Sequence, residues 1–301
     1  MTAEAIDVTE RTDIEDFYRD VQARFCAGIE SVDGTGRFVS DVWERPGGGG
    51  GDTRILAGGS HIEKAAVNFS AVEGETPAKL SERMAAMGER FYATGVSIIV
   101  HPANPYAPTF HANVRYFETD DGRAWFGGGA DLTPYYLFGD DARHFHRILQ
   151  SVCDRHPVAD HPGWKRACDE YFHLPHRGEA RGVGGLFFDH LTEHLSEVWA
   201  FQQDLANHLL DAYVPVLERR IGMPFGDRER DWHRIRRGRY VEFNLVWDRG
   251  TKFGLETGGR TESILGSLPP HASWVYENEP EPDSPEAELL AFVRGAPRDW
   301  V

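Results

Sequence analysis

The sequence predicts a mixed α+β fold, because helical and extended patterns alternate along the chain without repeats and without segregation. The clearest helical pattern opens the chain, where apolar residues recur at helical spacing from Ile14 to Ile29. Short turns separate several of the strand patterns and favour antiparallel neighbours. The 301 residues could form one large domain or two small ones, and no boundary is evident, so we expect a single domain over residues 1–301.

The first third of the chain combines two predicted helices with strands between them. Thr12 and Glu15 form a capping box ahead of the first helix, and Thr76 and Pro77 predict the start of the second. The glycine run at residues 47–51 has no side chains to pack, so we predict a mobile loop there. Strands are predicted at residues 37–44, 53–57 and 65–70.

The remainder of the chain contains one hairpin, a helical region and one further strand. Residues 123–126 are predicted to pair with residues 114–118, because turn-forming residues separate them. Residues 140–221 read as mainly helical. Residues 239–248 are the strongest predicted strand, since apolar and polar side chains alternate along them. Ser284 predicts the cap of a final helix.

Two predicted strands carry a concentrated set of polar side chains. Ser97 and His101 share one face of the first strand. His111, Asn113 and Arg115 share one face of the second, because side chains alternate with a period of two. The apolar residues between them take the opposite face and can pack on a core. A hydroxyl, two imidazoles, an amide and a guanidinium therefore converge, and such a row can bind an anion and move a proton.

Composition and charge exclude several classes of protein. Lys and Arg number 32 against 48 Asp and Glu, for a net charge of -16, which argues against general binding to nucleic acid or anionic membranes. Any anionic ligand therefore needs a local basic cluster. Cys26, Cys153 and Cys168 form no CxxC pair, which favours a reducing cytoplasm over a disulfide framework. No signal-peptide core and no apolar run of about 18 residues is present, so we expect no integral membrane segment.

Glycine-rich stretches invite a nucleotide-binding interpretation that the flanking residues do not support. The run at residues 47–51 lacks the lysine of a phosphate-binding loop, and Gly182, Gly184 and Gly185 are followed by Phe187 instead of a third fingerprint glycine. The glycines at residues 127–129 suit a close approach of backbone to a bulky flat ligand, with tight turns as the alternative.

Several long motifs closely resemble the oxygen-dependent coproporphyrinogen III oxidase family, and the resemblance runs over nearly the whole chain. They are His101, Asn104, Pro105, HANVRYF at 111–117, WFGGGADLTPYY at 125–136, RGVGGLFFD at 181–189 and RYVEFNLVWDRGTKFGLETGGRTESILGS at 239–267. The resemblance implies that O2 drives decarboxylation of two propionates of coproporphyrinogen III to vinyl groups. The product would be protoporphyrinogen IX of haem biosynthesis, with no organic cofactor.

The resemblance also implies an architecture and an assembly. The fold would be a single α+β domain with a large antiparallel β-sheet covered by α-helices on both faces. The chain would form a homodimer, with the segment from Tyr240 to Val275 as part of the contact. Its small-molecule substrate would be coproporphyrinogen III.

Substrate-binding roles are implied residue by residue. Arg115 and Arg260 would hold propionates, because a guanidinium forms forked hydrogen bonds with a carboxylate. Alternatively, both would be structural ion-pair partners of Asp131 or Glu242. The positions that match substrate contacts of the family are Ser97, Asn113, Val114, Arg115, Gly258, Gly259 and Arg260.

Three residues are candidates for catalysis. His111 matches the family's proton donor, with a purely hydrogen-bonding histidine as the alternative. Asp131 and Asp248 are candidates for accepting hydrogen bonds from pyrrole N–H groups, which would make a pyrrole more electron-rich towards O2. Asp248 lies next to Arg249 and could instead close a turn.

A divalent metal is a further expectation of the resemblance. Bacterial relatives have metal positions that match His101, His111, His146 and His176, whereas other members work without metal. The same histidines would then be polar groups of the pocket.

Two other function classes remain open on sequence grounds. A metal-dependent hydrolase would act without O2, and a tetrapyrrole carrier would bind porphyrinogen without releasing carbon dioxide. The radical enzyme for the same conversion is excluded, because no clustered cysteines could ligate an iron–sulfur centre.

Overall fold

A seven-stranded antiparallel sheet forms the centre of the fold, with the strand order β1-β2-β3-β4-β5-β6-β9. The computed structural model describes residues 11–76, 88–256 and 258–301. The strands of this sheet are β1 (Val39–Glu44), β2 (Gly49–Ala57), β3 (Ile62–Glu75), β4 (Arg90–Pro102), β5 (Thr109–Thr119), β6 (Ala124–Thr133) and β9 (Gly184–Leu191). β7 (His173–Leu174) and β8 (Glu179–Ala180) form a separate two-stranded ribbon.

Helices precede, interrupt and follow the strands. They are α1 (Arg11–Asp33), α2 (Gly139–Cys153), α3 (His161–Tyr171), α4 (Leu195–Asn207), α5 (Leu209–Ile221), α6 (Asp227–Glu242), α7 (Arg249–Glu256), α8 (Thr261–Leu265) and α9 (Pro285–Arg294). Among the helices described, none is both long and apolar enough to span a bilayer. The helix predicted to start at Thr76 and Pro77 would run through residues 77–87, which lie outside the described residues.

The two faces of the sheet differ in chemistry. On the core face, Phe110 of β5 is stacked between Phe25 of α1 and Tyr213 of α5, and Phe145 of α2 packs edge-on against it. The opposite face, which we call the open face, carries the polar side chains of β5 and is partly covered by α6, α7 and α8. The prediction of an α+β fold with helices on both faces of an antiparallel sheet is therefore confirmed.

Several sequence predictions of single elements are confirmed. α1 buries Ile14, Val21, Phe25 and Ile29, as its periodicity predicts, although the helix already includes Thr12, which is therefore not its N-cap. β5 and β6 form the predicted hairpin. The Oγ atom of Ser284 accepts a hydrogen bond from the N–H of Ala287 and caps α9.

The predicted strand at residues 239–248 is wrong. These residues complete α6 and continue as a π-helical turn over Phe243–Trp247. The buried positions Arg236, Arg237, Tyr240 and Asn244 follow helical spacing, but the buried arginines and asparagine hide that spacing from a hydrophobic pattern. The apparent alternation of apolar residues combined the buried Phe243 with Leu245 and Trp247, which are exposed.

The predicted loop at residues 47–51 is also wrong in part, because Gly49–Ala57 forms β2. A Cβ atom on Gly49 would lie 2.2 Å from the carbonyl oxygen of Ala71, and one on Gly51 would lie 2.4 Å from that of Phe69. These glycines therefore permit a close approach between strands rather than mobility. The mainly helical prediction for residues 140–221 holds for α2 to α5 but misses the edge strand β9.

Asp33 joins the end of α1 to the β2–β3 hairpin. Its two carboxylate oxygens accept hydrogen bonds from the backbone N–H groups of Gly36, Ser60, His61 and Ile62, at 2.7 to 3.0 Å. Burial opposes ionisation, but these four donors outweigh it and lower the pKa of Asp33 to about 2.

Asp33→Ala should lower the free energy of unfolding by about 2 kcal/mol at neutral pH, because buried donors lose an ionised acceptor. The folded-state pKa lies below the unfolded value, so this stabilisation is present above about pH 4 and is lost as the pH falls towards 2. Urea unfolding at pH 7 and pH 3 measures both effects. Asp33→Asn, which keeps one acceptor oxygen, is the matched control and should lose less, and an equal cost for Asp33→Ala at both pH values would contradict this account.

Candidate functional site

The open face brings the predicted polar residues of β4 and β5 together. Ser97 of β4 lies opposite Asn113 of β5, and Asn68 of β3 lies opposite Ser97. One pair further along, His111 lies opposite Asp131 of β6. The side chains of Ser97, His111 and Asn113 are partly exposed, so a ligand on this face can reach them.

His111 is the first member of a hydrogen-bonded chain that leads into the protein. Its Nδ1 lies 2.7 Å from Oδ1 of Asp131, and because a carboxylate accepts, Nδ1 carries the proton of this bond. Among the described residues, Nε2 of His111 has no hydrogen-bond partner. The ring is thus held with one nitrogen on Asp131 and the other free for a ligand.

Asp131 is buried and belongs to a second, stronger pair. Arg181 donates to both carboxylate oxygens from one terminal nitrogen, at 2.8 and 2.7 Å. Burial raises the pKa of Asp131, but the charge of Arg181 and the hydrogen bond from His111 outweigh it and hold that pKa below its usual value. Asp131 is therefore an ionised carboxylate directed at His111 and Arg181, rather than an open acceptor for pyrrole N–H groups.

Arg181 is a residue of this site that the sequence did not single out. Its side chain is 1% exposed, and the guanidinium lies 3.9 Å from the ring centroid of Phe172 and 4.8 Å from those of Tyr240 and Phe243. The available signal was an arginine at the start of RGVGGLFFD, a motif that is mostly apolar and glycine-rich. An arginine buried in such surroundings requires an acidic partner.

Arg115 stands on the same face as His111 and is half-exposed. It donates to Oδ1 of Asn113 at 2.5 Å and forms an ion pair of 2.9 Å with Asp189 of β9. Burial raises the pKa of Asp189, but His190 and Arg115 outweigh this and lower it. The opposing residue on β6 is Gly127, whose Cβ would lie 2.8 Å from the guanidinium, so a larger residue there would displace this pair.

Arg260 lies over the β1 side of the open face. It occupies the N-cap position of α8, and its side chain pairs with Asp41 of β1. Ser263 of α8 bonds to Thr53 of β2 at 2.6 Å and accepts from Asn68 at 3.0 Å, which docks the helix on the sheet. Arg260 and Arg115 therefore lie over one face, separated by about four strand spacings, or roughly 19 Å.

The glycines next to Arg260 shape the turn that carries it. Gly258 has a φ of +71°, and the N–H of Gly259 donates to the carbonyl of Gly254 at 2.7 Å. Both therefore end α7 and turn the chain into α8. The predicted ion-pair partners of the two arginines, Asp131 and Glu242, are wrong, since the partners are Asp189 and Asp41.

Asp248 has a structural role that the sequence left open. Its Oδ1 accepts from the hydroxyl of Tyr171 at 2.7 Å and its Oδ2 accepts from the N–H of Thr251 at 2.6 Å, which caps α7. Tyr171 stacks on Phe187 of β9, whose side chain points to the open face. Asp248 thus lies at the β9 side of the site, with both oxygens already engaged.

Val114 is the predicted substrate-binding residue that the structure places on the other side of the sheet. Its side chain is buried in the core face, between the outward positions of Asn113 and Arg115. This follows from strand alternation, which gives neighbouring residues opposite faces.

The four histidines predicted to hold a metal do not assemble. His101 is fully buried and bonds to Thr109 and to the carbonyl of Ser267. His146 lies on α2, over the core face, and bonds to the carbonyl of Val183; His176 bonds to Glu242 and Trp247. Over the described ranges, no group of three or more His, Cys, Asp or Glu side chains could hold a metal ion.

These residues therefore do not fit a shared metal centre. Both ring nitrogens of His101 and of His176 are occupied by protein partners, and Nε2 of His146 is engaged by the carbonyl of Val183. These three histidine rings lie in three separate surroundings, and the metal prediction gains no geometric support.

The sequence profile of the coproporphyrinogen III oxidase family matches residues 13–300. The chain belongs to this family. Coproporphyrinogen oxidases act in haem biosynthesis on a porphyrinogen. The matched residues include every strand of the sheet and the residues at both ends of the open face.

Proposed function

We propose that the protein catalyses the oxygen-dependent decarboxylation of two propionate groups of coproporphyrinogen III to vinyl groups, giving protoporphyrinogen IX. In each arm the bond to the carboxyl carbon breaks and a carbon–carbon double bond forms, with loss of carbon dioxide, one proton and two electrons. O2 is the electron acceptor and leaves as water. The observation that carries this proposal is the open face with His111, Asn113 and Arg115 in a chain that matches the coproporphyrinogen oxidase family over residues 13–300.

The charges on the open face suit a substrate with several carboxylates. Arg115 and Arg260 are both partly exposed, at 36% and 30%, and their partners Asp189 and Asp41 can be exchanged for a propionate. Such an exchange replaces one charged pair with another and leaves no guanidinium unpaired. We therefore assign propionate binding to these two arginines, with Ser97, Asn113 and the backbone of Gly258 and Gly259 as further contacts.

His111 is the proton donor in this proposal. Asp131 stabilises the charged ring through Nδ1, so the proton on Nε2 can be delivered to the reacting groups on the open face. Asp131 acts through His111 rather than on a pyrrole. Asp248 retains its proposed contact with the macrocycle only if Tyr171 or the N–H of Thr251 releases one of its oxygens.

Incubation with coproporphyrinogen III in air and under argon tests the proposed reaction. We expect protoporphyrinogen IX and carbon dioxide in air and neither under argon. The tetrapyrrole products are oxidised to porphyrins and measured by chromatography. Conversion under argon would contradict oxygen dependence, and binding without conversion in air would identify a tetrapyrrole carrier.

Arg260→Ala should raise KM for coproporphyrinogen III by about 10–100-fold, because a charge-assisted hydrogen bond contributes about 1.5–3 kcal/mol. Stability should change by less than about 1 kcal/mol, since the pair with Asp41 is partly exposed. Steady-state kinetics and thermal unfolding measure these effects. Asp41→Ala is the control: it frees the guanidinium and should leave KM unchanged or lower. An unchanged KM in Arg260→Ala would remove this residue from the site.

We also propose a homodimer with the segment from Tyr240 to Val275 in its contact. Exposed apolar side chains support this proposal: Leu245, Val246, Trp247, Leu255, Trp274 and Val275. Light scattering should give twice the mass of 33.9 kDa for the wild type and a lower mass for Val246→Glu. A monomeric wild type would contradict the proposal.

We propose the cytoplasm as the compartment. Cys26, Cys153 and Cys168 are free and buried, which suits a reducing environment.

A further inference from the structure

Arg181 is the most deeply buried charge next to the candidate site, and the site residues carried over from the family do not include it. Its exposed fraction is 1%, and that of its partner Asp131 is 2%. It reaches no ligand, because Phe172, Tyr240 and Phe243 surround the guanidinium. Arg181 donates to both oxygens of Asp131 at 2.8 and 2.7 Å and only at 3.4 Å to Oδ1 of Asn244, so its strongest route to the reaction passes through Asp131.

The geometry connects Arg181 to the proton on His111 in two steps. One terminal nitrogen of Arg181 donates to both oxygens of Asp131, and Oδ1 of Asp131 also accepts from Nδ1 of His111. The shared oxygen makes the two bonds compete for the same charge. Because Arg181 already compensates that charge, His111 does not have to remain a cation to balance Asp131.

We propose that Arg181 is a positioning residue for proton transfer. It holds Asp131 as the ionised acceptor that directs Nδ1 of His111 inward and Nε2 onto the open face, and it allows the His111–Asp131 pair to release a proton as well as bind one. The inference rests on the proposed function, in which His111 is the proton donor.

The consequence of removing the guanidinium follows from charge balance. In Arg181→Met, the buried carboxylate either binds a proton itself or keeps one on His111 as its only remaining counter-charge. In both cases the pair holds one proton more near neutral pH than in the wild type. The pH at which the pair releases that proton therefore moves upward.

A pH profile of kcat gives the catalytic test. Arg181→Met should lower kcat at pH 7 by about tenfold or more and move the profile towards higher pH by about one unit, with KM changed by less than about twofold. Arg181→Lys keeps the charge but loses the second nitrogen that contacts Asn244 and the planar group that lies over Phe172, so we expect an intermediate profile. A profile identical to the wild type in a folded Arg181→Met variant would overturn the proposal.

Arg236 provides a matched control. It is buried like Arg181, pairs with Glu179 at 2.9 Å and packs near Trp232, and it has no contact with Asp131 or His111. Arg236→Met should lower the melting temperature to a similar extent and leave the pH profile unchanged. An equal shift in both variants would mean that loss of stability, rather than position, causes the effect.

A measurement without substrate separates this inference from the proposed function. Nitrogen-15 spectra of histidine-labelled protein report the tautomer and the titration of His111, and the resonance is assigned by its absence in His111→Gln. We expect the Nδ1–H form in the wild type and an upward-shifted titration in Arg181→Met, or in Arg181→Lys if the methionine variant does not fold. Unchanged spectra would overturn the role of Arg181, whereas inactivity of the wild type in air would overturn only the reaction.

Discussion

His111→Gln should lower kcat for coproporphyrinogen III by about 10²–10⁴-fold, the range measured when a general acid or base is removed. Glutamine can still donate a hydrogen bond to Asp131, so the buried pair with Arg181 remains satisfied. It cannot bind and release a proton near neutral pH. The loss should therefore appear in kcat, with KM and the melting temperature close to the wild type.

His156 offers a control of similar chemistry at a distance from the site. Its Nε2 lies 2.9 Å from Asp204, and its side chain is 20% exposed, against 17% for His111. His156→Gln should leave kcat unchanged within about twofold. If His111→Gln retained wild-type turnover at saturating substrate, His111 would be a hydrogen-bonding residue and the proton donor would have to lie elsewhere on the open face.

Strand alternation allowed the centre of the site to be predicted before the fold was known. Ser97, His111, Asn113 and Arg115 share a face because a period of two is a local property of each strand. The hairpin register that sets His111 opposite Asp131 follows from a short turn, which is local as well. A sequence therefore predicts these contacts without knowledge of the rest of the chain.

The remaining partners come from distant parts of the chain and could not be predicted in this way. Arg115 pairs with Asp189 because β9 adds to the sheet edge beyond β6, and that strand lies within a stretch predicted as helical. Arg260 pairs with Asp41 across more than two hundred residues because α8 docks on β2 and β3. Hydrophobic periodicity carries no information about either contact.

The error at α6 has a related cause. Periodicity detects a helix only when its buried face is apolar, and α6 buries Arg236 and Arg237. Each arginine is tolerated inside because a glutamate from another element neutralises it, Glu179 and Glu63 respectively. The chemistry that holds α6 in place is therefore what concealed it.

Asp131→Leu should lower the free energy of unfolding by about 3–5 kcal/mol, because it leaves the guanidinium of Arg181 buried without a counter-charge. Leucine has as many side-chain heavy atoms as aspartate, branched at the same position, so no cavity forms and the main cost is electrostatic. Urea unfolding at pH 7 measures it. The ionised form of Asp131 is favoured in the folded protein, so the stabilisation by this carboxylate is present above about pH 4 and declines in acid.

The double variant Asp131→Leu with Arg181→Met should recover most of that stability, since replacing a buried ion pair by apolar residues of similar volume is often neutral or stabilising. Glu179→Leu with and without Arg236→Met is the comparison cycle at a buried pair without contact to His111, although Glu179 also contacts Arg239 at 3.3 Å. In both cycles the double variant should be more stable than the single carboxylate variant, but activity should differ: the double variant at Glu179 should turn over substrate, and the one at Asp131 should not. A double variant at Asp131 that regained both stability and turnover would mean that the buried pair serves the fold alone, because His111 would then act without its carboxylate.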